Sequence, residues 1–138
     1  MTIIPELQVL DYDKSLDFYT RLARFVVVYD RPEESFAMLE INGARLMIEG
    51  LATQGRSWRV GKMEKPFGRG MNLQIEVQDV DRLYQSFKRA EYPIFFDLEE
   101  KWYRVNDKEI GHKQFLVQDP DGYLLRFFEK MGSGPFEQ

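Results

Sequence analysis

The sequence predicts an α+β fold built as two successive βαβββ repeats. Three observations predict it. A chain of 138 residues with 43% hydrophobic and 14% aromatic side chains is the size of one domain with a substantial core. Short apolar runs with strand character alternate with only two stretches of helical periodicity. The second half of the chain repeats the order of the first.

Ile3 to Leu10 is apolar and strand-length, and Asp11 or Asp13 can cap the segment that follows. There Tyr12, Leu16, Tyr19 and Leu22 fall on one face of an amphipathic helix. Phe25 to Asp30 is a β-branched strand. SFAMLEI and ARLMIEG flank Asn42-Gly43, a strong signal for a two-residue hairpin turn. In the second half, Met71 to Gln78 is a strand, and Val80, Leu83, Tyr84 and Phe87 define a helix that Asp79 can cap. Ile94 to Leu98, Trp102 to Val105 and Lys113 to Val117 are strands, followed by the DPDG turn and YLLRFFE.

The two helix segments align at an offset of 68, pairing Asp11 with Asp79. NGARLMIE aligns with DGYLLRFF at an offset of 79, pairing Met47 with Arg126. The second copy therefore holds about eleven extra residues, which fall around Asp97 to Gly111. The expected organisation is one domain over 1–138, with a first unit at about 3–50, a linker at 51–70, a second unit at about 71–130 and a flexible tail at 131–138.

Composition excludes several functions. With no cysteine, the chain has no disulfide framework, thiolate metal site or thiol nucleophile, and its single His rules out an all-His cage within one protomer. A net charge of −4 disfavours general affinity for nucleic acid. No apolar run approaches the roughly 18–20 residues that span a bilayer, and the N-terminus lacks the features of a cleavable signal, so a soluble cytoplasmic protein without membrane attachment is expected. The charge is segregated. Arg56, Arg59, Lys62, Lys65 and Arg69 against Glu64 give the 51–70 segment +4, leaving −8 on the rest. Glycines and like charges suit a solvated linker. Trp58 and Phe67 suit a segment folded over a pocket or a partner subunit.

The paired βαβββ units, D-x-D-x-S-x-x-FY at Asp11 to Tyr19, and FLVQDPDGYLLRFFE at Phe115 to Glu129 resemble the vicinal-oxygen-chelate superfamily of glyoxalase I, extradiol dioxygenases and the fosfomycin and bleomycin resistance proteins. The resemblance spans Ile3 to Glu129. It implies that the repeats form a half-open barrel of mixed sheets around a ligand cavity. Its metal-dependent members draw ligands from the opening and closing strands of both repeats. Those positions here are Ile4, Asn72, Met47 and Arg126, none a usual ligand apart from the weak amide oxygen of Asn72, and Arg126 puts a fixed positive charge where a cation would sit. The resemblance then favours bleomycin resistance proteins, which are metal-free homodimers that sequester a cationic glycopeptide without turnover. This implies no cofactor, no catalytic residue, and a small-molecule ligand. The implied binding residues are Phe36, Trp58 and Trp102 as flat surfaces, Asp107 and Glu109 in an acidic wall, and Met47, Asn72 and Arg126 lining the cavity. Arg126 sits mid-strand, alternating into the cup, where either a protein carboxylate or the ligand must pair with it. Two alternatives stay open: an enzyme of the same superfamily with relocated metal ligands or with Glu or His112 as base, and a binding module for another metabolite.

Overall fold

A computed structural model of the chain describes residues 1–51 and 58–136. Eight strands form two four-stranded sheets, ordered β1-β4-β3-β2 and β5-β8-β7-β6. The chain divides into two units: Met1–Arg69 with Asp119–Tyr123, and Gly70–Gln118 with Leu124–Gln138.

In the first unit, β1 (Glu6–Val9) runs parallel to β4 (Ala44–Gly50), while β3 (Phe36–Ile41) is antiparallel to both β4 and the edge strand β2 (Val26–Arg31). The Asn42-Gly43 turn joins β3 to β4 with both residues at positive φ, 48° and 82°. Asp11 caps α1 (Tyr12–Asp17) by accepting from the Lys14 amide at 3.1 Å. The helix then widens into a π turn over Phe18–Leu22 and closes with Arg24 left-handed at φ 69°, the Phe25 amide donating to the Tyr19 carbonyl at 2.9 Å. α1 packs on β4, and the fully buried Leu7, Val9, Leu39 and Ile48 form the core side of the sheet.

The DPDG turn belongs to this unit. Asp119 Oδ1 accepts from the amides of Asp121 and Tyr123, and Asp119 Oδ2 accepts from the Tyr19 hydroxyl at 2.7 Å. Asp121 Oδ2 accepts from the Leu10 amide at 3.3 Å, and the Tyr123 hydroxyl donates to the Gln8 carbonyl at 2.9 Å. A Cβ on Gly122, whose φ is 102°, would lie 2.5 Å from Pro66 Cβ. The motif is therefore a buried fastening, its carboxylates held by the backbone amides of Leu10, Asp121 and Tyr123 and by the Tyr19 hydroxyl. Phe67, from the 51–70 segment, is buried edge-on against Tyr123. Residues 52–57 of that segment, including Arg56, lie outside the described residues.

In the second unit, β5 (Asn72–Glu76) is parallel to β8 (Leu124–Pro135), and β7 (Lys108–Gln118) is antiparallel to β8 and to β6 (Phe96–Val105). Asp79 caps α2 (Val80–Arg89), accepting from the Arg82 amide at 3.0 Å. Phe87 of α2 meets Phe115 of β7 and Phe127 of β8 at 5.8 and 6.1 Å between ring centres, which fixes the core side of the sheet.

Three expectations change here. The strands expected at 94–98 and 102–105 are one strand with a bulge between Phe96 and Glu99. The extra residues of the second repeat lengthen the β6–β7 hairpin, with β7 beginning at Lys108 rather than at Lys113. The expected tail from 131 is strand as far as Pro135, because the longer β7 offers it an edge: Ile110 pairs with Ser133 and Lys108 with Pro135.

Candidate functional site

Strand pairing with period-two alternation sets a second face on each sheet, opposite the helix. In the second unit, Gln74 is paired with Arg126, Arg126 with Leu116, and Gln114 with Phe128, so these side chains share that face. Arg126 donates through Nη2 to Gln74 Oε1 at 2.8 Å. Among the described residues it makes no ion pair, and its buried Nε has no protein partner. Gln114, 3% exposed, donates through Nε2 to Glu99 Oε1 at 3.0 Å and to the Tyr103 hydroxyl at 2.6 Å, while its Oε1 is buried without a protein partner. His112, 7% exposed, stacks on Phe128 at 4.3 Å and leans on Tyr103 at 5.4 Å, and its Nδ1 is likewise unanswered. Burial, followed by the positive charge of Arg126, lowers the His112 pKa from its ordinary value, with Glu76 opposing, so the imidazole is neutral at pH 7.

In the first unit the equivalent face carries Glu6, Gln8, Phe36, Met38, Met47 and Glu49. Phe36 is 3% exposed beneath the Arg31 guanidinium, 4.1 Å from its ring centre, with Tyr29 alongside at 6.1 Å. Burial and then the nearby Glu49 raise the Glu6 pKa, and Gln8 Oε1 and Glu49 Oε1 are buried without protein partners.

The structure thus brings the expected residues together in two pairs: Phe36 with Met47 in the first unit, Asn72 with Arg126 in the second. Trp102 stands elsewhere. Tyr103 faces Gln114, so its neighbour Trp102 projects from the helix side of β6, laid against Gly111, where a Cβ would come 2.8 Å from the indole Cη2. Asp107 is in the β6–β7 turn, and Glu109 pairs with Arg104 and Gly134. Glu109 lies seven positions along β7 from Leu116, the partner of Arg126, or roughly 23 Å of strand. Trp58 is 70% exposed. Gln114 is a site residue that the sequence reading did not select, and His112 enters it only as the base of the alternative enzyme. Their signal is polar residues at alternate positions, His112 and Gln114, interleaved with core residues such as Phe115 along one strand.

A family model described as the Glyoxalase/Bleomycin resistance protein/Dioxygenase superfamily matches residues 4–127. The chain belongs to this superfamily. The bleomycin resistance protein of Geobacillus stearothermophilus is 30% identical over 143 residues, covering 94% of this chain and 97% of that protein. The Staphylococcus aureus bleomycin resistance protein matches to the same degree. Among solved structures, TioX from Micromonospora sp. ML1 superposes with a TM-score of 0.73 at 21% identity, covering 95% of this chain and 99% of its own. Lactoylglutathione lyase from Agrobacterium tumefaciens does so at 0.61 and 16%, covering 94% and 92%. These two likenesses show the fold.

The metal that the superfamily implies does not fit the residues at its usual positions. Ile4 and Met47 supply no hard donor, Asn72 supplies one weak oxygen, and the guanidinium of Arg126 repels a cation. Among the described residues, no three His, Asp or Glu side chains converge as an ion would require.

Proposed function

We propose that this chain is a metal-independent, cytoplasmic binding protein that acts as a homodimer and protects by sequestering a bleomycin-type drug. The observation that carries the reading is Arg126. At a position where metal-dependent relatives hold a ligand, the chain keeps a guanidinium that among the described residues bonds only to a neutral amide, next to Gln114 and His112 with unanswered polar atoms. A buried polar group without a partner costs roughly 1–3 kcal/mol, so three on one face favour a site completed by a ligand. The two curated relatives named as bleomycin resistance proteins support the drug class. A second copy of the chain is supported by β2, an edge strand whose Val26, Val27, Val28 and Tyr29 are 40–62% exposed. No helix among the described residues is long and apolar enough to cross a membrane.

Calorimetric titration with bleomycin tests the reading. Binding with a defined stoichiometry is expected, and Phe36→Ala should weaken it by about 1–3 kcal/mol. Absence of measurable heat across several temperatures refutes the drug assignment, and a monomer by light scattering refutes the dimer.

A further inference from the structure

We propose that the Gln114–Arg126 patch of the second unit recognises a neutral head group carrying N–H and C=O on one edge, the pattern of a primary carboxamide or a cyclic lactam. The inference rests on the reading that this face binds a small molecule, and it names the chemistry the face selects.

The hydrogen-bond roles are fixed by the protein. Arg126 has donors only, so its buried Nε–H needs an acceptor. Gln114 could in principle present either end of its amide. Its nitrogen donates to the carboxylate oxygen of Glu99, so Oε1 is the end left facing outward from that contact. One donor and one acceptor, both unanswered, therefore stand diagonally across the β7–β8 pairs Gln114–Phe128 and Leu116–Arg126. Diagonal neighbours on an antiparallel pair are about 7–8 Å apart at their origins, within reach of two long side chains converging on one small group. His112 adds a flat wall stacked on Phe128, and a neutral imidazole nitrogen that accepts or donates according to its tautomer, so it fits the same group without dictating it.

Charge selects among head groups. A carboxylate satisfies Arg126 but sets its oxygens against Gln114 Oε1. An ammonium group satisfies Gln114 and is repelled by Arg126. An ordinary trans secondary amide points its N–H and C=O in opposite directions and reaches one partner at a time. A primary carboxamide or lactam offers both on one edge. The acceptor meets Arg126 Nε–H, and the donor meets Gln114 Oε1.

The test uses the full-length protein labelled with nitrogen-15 and four probes: benzamide, N-methylbenzamide, benzoate and benzylammonium. Benzamide is expected to shift the Gln114 side-chain amide and Arg126 Nε–H resonances saturably, with a dissociation constant on the order of millimolar for so small a ligand. The other three should bind at least fivefold more weakly. Gln114→Leu and Arg126→Met should each remove the benzamide response. The probe series on the unaltered protein decides the matter if a variant fails to fold. Benzoate or benzylammonium binding as well as benzamide, or benzamide shifting neither resonance, overturns the inference. Bleomycin calorimetry on the same preparation separates the two readings: drug binding without a benzamide response removes only the head-group assignment, and a benzamide response without drug binding removes only the drug.

Discussion

Replacing Tyr19 by Phe deletes one hydroxyl from a buried polar cluster of the first unit. That hydroxyl donates to Asp119 Oδ2 at 2.7 Å, while the other carboxylate oxygen holds the amides of Asp121 and Tyr123. Asp119 is buried, so water does not simply take the vacated place. Hydrogen bonds to charged groups contribute roughly 1.5–3 kcal/mol, and we expect a loss of about 2 kcal/mol near pH 7. With a urea slope of about 2 kcal/mol per molar, the midpoint falls by about 1 M. The loss depends on pH. Burial raises the Asp119 pKa above its ordinary value, and the hydrogen bonds from Tyr19 and the two amides pull it back. A carboxyl with a raised folded pKa contributes most stability below its unfolded pKa and loses that contribution as pH rises through the folded one. Tyr19→Phe raises the folded pKa further, so its cost is greatest where Asp119 is ionised and shrinks to about 1 kcal/mol once the carboxyl is protonated. Urea titrations of both proteins at several pH values between about 7 and 4 measure this. An unchanged midpoint near neutrality, or a penalty constant across the series, refutes the reasoning.

Two further outcomes follow from the backbone. Arg24→Gly relieves a left-handed residue at φ 69°, and equilibrium unfolding should show a gain of about 1 kcal/mol. Gly111→Ala sets a Cβ 2.8 Å from the Trp102 ring, and because that indole is exposed it can swing aside. In a Trp58→Phe background, which leaves one tryptophan, the emission maximum should shift with less than about 1.5 kcal/mol of destabilisation; an identical spectrum contradicts the packing.

What the chain reveals before folding depends on whether a feature is local. Asn42-Gly43 specifies its turn because both residues must take positive φ, and Asp11 and Asp79 cap helices they directly precede. Arg126 was legible because the repeat aligns it with Met47 in an otherwise similar strand. Trp102 was not, because its face depends on strand register, and the bulge between Phe96 and Glu99 resets the alternation that would be counted from the start of β6. The strand over 131–135 was hidden for a related reason. Met131-Gly-Ser-Gly-Pro135 has no strand composition of its own and is extended because β7 pairs with it. Gln114 falls outside the expected site, and His112 enters only as an alternative base, because the strand predicted from Lys113 starts five residues after the observed start of β7 at Lys108 and so hides the alternation of His112 with Gln114.

The position of Asp119–Tyr123 means that the repeat in the sequence is not the module in space. Cutting the chain at residue 70 would give a first fragment in which Tyr19 Oη, the Leu10 amide and the Gln8 carbonyl all lose their partners. The second fragment would carry those partners on a turn with nothing to fasten. The two halves of the sequence are therefore not interchangeable cassettes: neither can be excised, duplicated or grafted whole without also moving five residues that belong to the other.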